Sequence, residues 1–291
     1  MCRLFGMSAA PHRVHATFWL LEAPDSLLAQ SHRDPDGTGL GYFAPDGTPH
    51  VDKQPIAAFA DRAFALEGRE ADSRTFVAHV RFATSGGLTP DNTHPFQLQN
   101  RLLAHNGVIG DLAKLEAELG SYAGLVRGET DSERFFALVT KQIDAHDGDV
   151  SAGLTAAARW VGRELSLYSL NVILITDREL WALRYPENEG LFVLERTAGG
   201  PHGAAALEHS SPRRTIHVHS DDLAGHPAVV IASEPMDDDP AWRLLAGGEL
   251  LHVDSNLAVS STVAVEHPPS HPLTLADVAP AAGGPRAAPA A

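Results

Sequence analysis

A single cysteine stands in 291 residues, which excludes an internal disulfide framework and a thiolate zinc cluster and fits a reducing compartment. Basic side chains are scarce. The 22 Lys and Arg against 37 Asp and Glu leave a formal charge of -15, so a phosphate-tracking surface would oppose a repulsive global field and no nucleic acid partner is expected. No apolar run approaches the roughly 18 residues that cross a bilayer. The start, Met1-Cys2-Arg3-Leu4-Phe5-Gly6, also lacks the apolar stretch and small-residue cleavage site of a secretory signal. The sequence therefore reads as soluble and cytoplasmic, with no membrane partner. No internal repeat and no signal of oligomeric state is visible. What is present is a 44% apolar composition, enough for a sizeable core in one large body with appendages or in two domains.

Periodicity supplies the elements. Thr17 to Gln30 has apolar residues at helical spacing, interrupted by Pro24, and predicts a broken helix. The turn-rich Asp34-Pro35-Asp36-Gly37-Thr38-Gly39 leads into a strand at Leu40 to Phe43, and buried strands are expected at 75–80 and 101–104. Helical spacing returns at 111–119, 131–143 and 153–165. Strands follow at 171–176, 179–184, 191–196, 216–218, 229–233 and 257–265. Strand clusters around a helical middle predict a layered α+β domain rather than regular βαβ alternation. Residues 2–266 form that domain, and 267–291, rich in Pro, Ala and Gly, are expected to be a disordered tail.

Cys2 matters more for its position than its number. Removal of Met1, usual before a small residue, would place a thiol and a free α-amine on one residue, with ordinary pKa values of about 8.5 and about 7.7 to 8.0. The amine is then placed to relay the thiol's proton, the arrangement of N-terminal-nucleophile catalysis. An idle second-position cysteine is the alternative. Arg81, in His79-Val80-Arg81-Phe82-Ala83-Thr84, offers a fork for a carboxylate or a surface ion pair. Asn106 and Gly107, in His105-Asn106-Gly107, supply either oxyanion donors or an ordinary turn. In Gly128-Glu129-Thr130-Asp131-Ser132-Glu133, Thr130 or Asp131 caps a helix, or Asp131 binds a substrate ammonium. Asn92-Thr93-His94-Pro95-Phe96 reads as structural.

These motifs, in this order, resemble those of the class II glutamine amidotransferases, whose glutaminase domain is an N-terminal-nucleophile hydrolase. Asn171 to Asp177 and Ile231 to Pro235 further resemble the stand-alone branch that includes γ-glutamyl peptide hydrolases. The resemblance covers most of the chain before about residue 265. It implies a four-layer αββα sandwich, Cys2 as nucleophile, Asn106 and Gly107 as oxyanion donors, and Arg81 and Asp131 as the clamp on a small-molecule γ-glutamyl substrate. It implies no cofactor and no metal. Where relatives often carry Asp-Gly-Trp-Gly, this chain has Asp36-Gly37-Thr38-Gly39, and loss of the indole is expected to widen the pocket or weaken its closure.

Hydrolysis of γ-glutamyl amides is the leading expectation, and a glutaminase subunit delivering ammonia to a separate synthase is the alternative. A metallohydrolase competes through Ile216-His217-Val218-His219-Ser220-Asp221-Asp222, although strand alternation alone also places two histidines on one face. Gly37-x-Gly39-x-Gly41 runs into a strand rather than opening a helix, so a dinucleotide site is discarded.

Overall fold

Alternating inward and outward side chains build two sheets face to face. The computed structural model describes residues 2–83, 86–199, 207–210, 217–220 and 225–278, without the side chains of 207–210 and 217–220. Strands β1 (Arg3–Ser8), β2 (Gly37–Phe43) and β3 (Pro49–Gln54) precede helix α1 (Arg62–Glu70) and strand β4 (Thr75–Arg81). The middle holds β5 (Phe96–Leu98), β6 (Arg101–Ile109), α2 (Leu112–Leu119), α3 (Asp131–Ala145) and α4 (Val150–Glu164). Then come β7 (Ser166–Ile175), β8 (Leu180–Arg184), β9 (Phe192–Arg196), β10 (Ala228–Ala232), β11 (Glu249–Val253) and β12 (Val259–Val263). One sheet runs β9-β10-β1-β4-β2-β3, with the two-residue strand Arg243–Leu244 outside β9. The other runs β12-β11-β8-β7-β6-β5, with neighbours antiparallel throughout.

Three apolar layers hold this stack together. Leu4, Val77, Leu102, Ala104, Ile173 and Ile231 fill the space between the sheets. The next residues along the same strands, Phe5, Phe76 and Ala78, point the other way and pack with Trp19 and Phe64 beneath α1 and the helical turns at Phe18–Glu22 and Leu27–Gln30. On the far side Leu103, Leu170, Val172 and Leu174 meet Phe135, Phe136, Leu138 and Leu154 of α3 and α4. The result is the expected αββα sandwich. Each fully buried Leu or Phe in these layers adds about 1.5 to 3 kcal/mol. Side-chain caps close the helices: Asp61 accepts from the Ala63 and Phe64 N–H groups, Thr130 from Glu133 and Asp149 from Ala152.

The interrupted first helix, the three middle helices and most of the later strands lie where periodicity places them. Several boundaries move. β6 does not stop at Ala104 but continues to Ile109, so Asn106-Gly107 is not a turn; Asn106 pairs with Asn171 and Gly107 with Leu170 inside the sheet. The expected strand at 257–265 is the second half of a hairpin whose first half is β11. The chain beyond 266 also stays on the body through residue 278. Tyr185 donates to the His267 carbonyl, Ser270 N–H to Gly162, and Leu273 N–H to Leu167, while His271–Pro272 runs parallel to β7. Backbone pairing, not apolar burial, holds this segment, which is why composition misjudged it. The expected tail from 279 onward lies outside the described residues.

The glycines of β2 serve close approach. A Cβ on Gly39 would lie 2.1 Å from the His94 carbonyl oxygen, and one on Gly41 would lie 2.9 Å from Pro95 and Leu102. Glycine at these alternate positions lets the Thr93–Pro95 segment rest against the inner face of the sheet.

Candidate active site

Cys2 immediately precedes β1, whose Arg3 pairs with Val80 of β4. Strand alternation puts Cys2 on the face of Leu4, which looks into the space between the sheets. Its sulfur accepts from the Phe82 N–H at 3.2 Å and lies 3.4 Å from the Phe82 carbonyl oxygen, which can take the thiol proton. Burial pushes the thiol up to about 11; the Phe82 backbone and Arg81 pull it back and Asp34 adds to the rise. The resting group is therefore a neutral thiol at pH 7.

Asn106 belongs to the opposing sheet and lies on the same side of β6 as Leu102 and Ala104 of the inter-sheet layer. Its side-chain nitrogen is buried with no hydrogen-bond partner. Such a donor costs about 1 to 3 kcal/mol of desolvation, so it marks a place where something else accepts. Gly107 follows at a position that tolerates no side chain, since a Cβ there would sit 1.7 Å from the Ser169 carbonyl oxygen.

Arg81 ends β4, 4% exposed, and donates to the Gly87 carbonyl at 3.2 Å. Burial lowers its pKa, and Cys2, Asp36 and Asp131 act in the opposite direction, so one guanidinium lies within electrostatic reach of all three. It stays charged. Asp131, at the start of α3, accepts from the Ile109 N–H at 2.8 Å and the Ser132 N–H at 2.9 Å, while Thr130 provides the cap. Arg81 thus lies within electrostatic reach of Cys2 and Asp131, and strand alternation turns Cys2 and Asn106 toward the space between the sheets.

Residues to which the sequence assigned no catalytic or binding role support the site. Asp36 accepts from the Ala83 N–H at 2.9 Å, and its own N–H reaches the Arg81 carbonyl. Asn92 bonds the Gly87 carbonyl and both the backbone and carboxylate of Glu129, which in turn accepts from the Gly87 N–H. These bonds fix the segment after β4 against the approach to α3. The Asn92–Phe96 motif read as structural therefore does structural work beside the site. Thr38 does not border it: paired with Val80 and buried, it points with Leu40 toward the outer helical layer. The expectation of a wider pocket is corrected accordingly, because a side chain at 38 bears on outer-layer packing.

Behind the site, His79, His94 and His105 are buried together, with the rings of His79 and His94 4.2 Å apart. Burial brings His79 down to about 3, helped by Arg81 and His105, and lowers His94 and His105 too. Below pH 6.5 the unfolded chain takes up protons that these rings refuse, so each withdraws about 1.4 kcal/mol of stability per pH unit until its folded-state pKa is reached. Glu67, raised to about 7 by burial, opposes part of this. Urea unfolding of wild type and His79→Gln between pH 7 and 5 is expected to show a shallower acid loss in the variant; equal slopes would contradict this account.

Among the described residues no three His, Cys, Asp or Glu side chains converge as a metal site, and no helix is long and apolar enough to cross a membrane. The side chains of His217 and His219, with Ile216, Asp221 and Asp222, lie outside the described residues.

A γ-glutamyl-hercynylcysteine sulfoxide hydrolase of Mycolicibacterium smegmatis is 26% identical over 272 residues, covering 89% of this chain and 99% of that protein. An uncharacterized protein of Methanocaldococcus jannaschii is 28% identical over 234 residues, 78% of this chain, and the match spans 63% of its length. Among solved structures, the glutamine phosphoribosylpyrophosphate amidotransferase of B. subtilis superposes with a TM-score of 0.61 at 17% identity, covering 92% of this chain and 50% of that one. A class II glutamine aminotransferase domain protein of Silicibacter pomeroyi gives 0.58 at 17% identity, covering 90% and 98%. At these identities the structures show the fold alone. The family model for class II glutamine amidotransferases matches residues 1–275, and this chain belongs to that family.

Proposed function

We propose that this chain hydrolyses the side-chain amide of γ-glutamyl compounds through a thioester on Cys2. The observation that carries the reading is the partnerless Asn106 nitrogen, buried and facing the inter-sheet space into which Cys2 also looks. A thiol raised to about 11 holds little thiolate at neutral pH, so a base has to take its proton during attack. With Met1 removed, the α-amine of Cys2 is that base. Sulfur bonds to the carboxamide carbon as the S–H proton passes to the amine, and the new oxyanion is held by Asn106 Nδ2 and the Gly107 N–H. The ammonium returns the proton to the departing nitrogen, the C–N bond breaks, and ammonia or an amine leaves. Water then adds to the thioester, giving up a proton to the same amine, and releases the γ-carboxylate and the thiol. Arg81 takes the substrate α-carboxylate and Asp131 its ammonium.

Water as acceptor is supported by the hydrolase named above, which this chain matches over nearly that protein's whole length. A second reading, delivery of ammonia to a separate synthase, draws on the B. subtilis amidotransferase, half of which has no counterpart in this chain. The test incubates purified mature protein with glutamine and a panel of γ-glutamyl amides and follows released amine and intact mass. Turnover with a transient glutamyl adduct is expected. Activity lost to a chelator, or no adduct on any substrate, overturns the reading.

A further inference from the structure

His105 of β6 and the first two residues of α3 form a buried polar chain in which the mechanism above uses only Asp131. His105 Nδ1 lies 2.9 Å from the Ser132 hydroxyl oxygen, and Nε2 lies 3.3 Å from the Ser169 carbonyl oxygen. The same hydroxyl lies 3.3 Å from Asp131 Oδ1. It has one proton, so it can donate to His105 or to Asp131 but not to both.

The surroundings decide which. A carbonyl oxygen only accepts, so the ring nitrogen that faces Ser169 carries the hydrogen. Burial lowers the His105 pKa against the opposite pull of Asp131, and the ring stays neutral at pH 7. Nδ1 is then a bare acceptor, and the Ser132 O–H donates to it over the shorter of its two distances. The Asp131 carboxylate offers about four acceptor positions. The Ile109 and Ser132 N–H groups occupy one on each oxygen, and the others stay open to a donor from the substrate.

We infer that His105 is a positioning residue: by holding the Ser132 hydroxyl it keeps the Asp131 carboxylate open to the substrate ammonium. The inference rests on the function proposed above and deepens it, because it names what sets the affinity for the charged head of the glutamyl group. Without an acceptor at position 105 the hydroxyl turns to Asp131 Oδ1, and the substrate ammonium has to displace it.

His105→Leu, Ser132→Ala and the double variant test this in the mature protein, by steady-state kinetics on the best γ-glutamyl substrate. Competitive inhibition by glutaramate, which is glutamine without its α-amine, is measured alongside. His105→Leu is expected to raise KM about tenfold, the low end for one hydrogen bond to a charged group, with kcat held within about twofold. Ser132→Ala alone should leave KM near wild type. Added to His105→Leu it should restore KM, because no hydroxyl then competes for Asp131. The inhibition constant of glutaramate should be the same in all four proteins. If His105 only steadies the fold, KM stays raised in the double variant and glutaramate binding weakens in step with it. Either result overturns the inference, as does an unchanged KM in His105→Leu. Should His105→Leu not fold, His105→Met carries the same readings. Failure of the proposed function shows separately, as a wild type that turns over no γ-glutamyl substrate.

Discussion

Cys2→Ala is expected to lower kcat on the best γ-glutamyl substrate by at least about 10⁴-fold, the scale of removing a covalent nucleophile. The fold should survive. The side chain is only half-buried and its hydrogen bonds run to the backbone of a single residue, Phe82, so thermal unfolding of the variant should match wild type closely. A second form separates the thiol from the amine: the same chain with Met1 retained keeps the sulfur but replaces the free amine with an amide, which has no basic lone pair. If the amine relays the proton, that form should be nearly as impaired as Cys2→Ala, and intact mass identifies which form is present. Full activity with Met1 retained would refute the relay while leaving the thiol as nucleophile. Wild-type activity in Cys2→Ala would remove the nucleophile itself.

The parts of this site that were legible in the sequence are those whose chemistry sits in a short run. A cysteine at position 2 and an Asn-Gly pair carry their proposed roles in residue type and adjacency. Arg81 was legible because β4 is apolar up to the point where the guanidinium appears. The fold class followed from the order of periodic segments, and the three middle helices from apolar residues at helical spacing. What escaped was set by distant partners. β3 reads Pro-His-Val-Asp-Lys-Gln and is a strand because it lies at the edge of a sheet beside β2, a position that leaves polar side chains in solvent. α1 has two large apolar residues spaced two apart and is fixed by the Asp61 cap and the burial of Phe64. Asp34 and Asp36 look alike in a turn-rich loop, yet one takes a backbone N–H after β4 and the other lies beside the chain start. No local pattern distinguishes them.

Asn106→Ala should lower kcat by about 10²- to 10³-fold, corresponding to about 2.7 to 4 kcal/mol of barrier, with KM nearly constant, because an oxyanion donor acts on charge that appears only in the transition state. The resting fold makes no hydrogen bond through Asn106 Nδ2. Deleting it therefore removes nothing that holds the sheet, and even relieves a buried donor of its desolvation cost, so the variant should unfold at or slightly above the wild-type temperature. That combination, slower chemistry with undiminished stability, is what separates a catalytic donor from a packing residue. Its neighbour cannot be examined the same way. Gly107→Ala would drive a methyl group to within 1.7 Å of the Ser169 carbonyl oxygen, forcing β6 and β7 apart, so its loss of activity would report damage to the sheet. The contribution of the Gly107 N–H is better measured in the Asn106→Ala background, where the catalysis remaining above a Cys2→Ala baseline includes what that donor supplies.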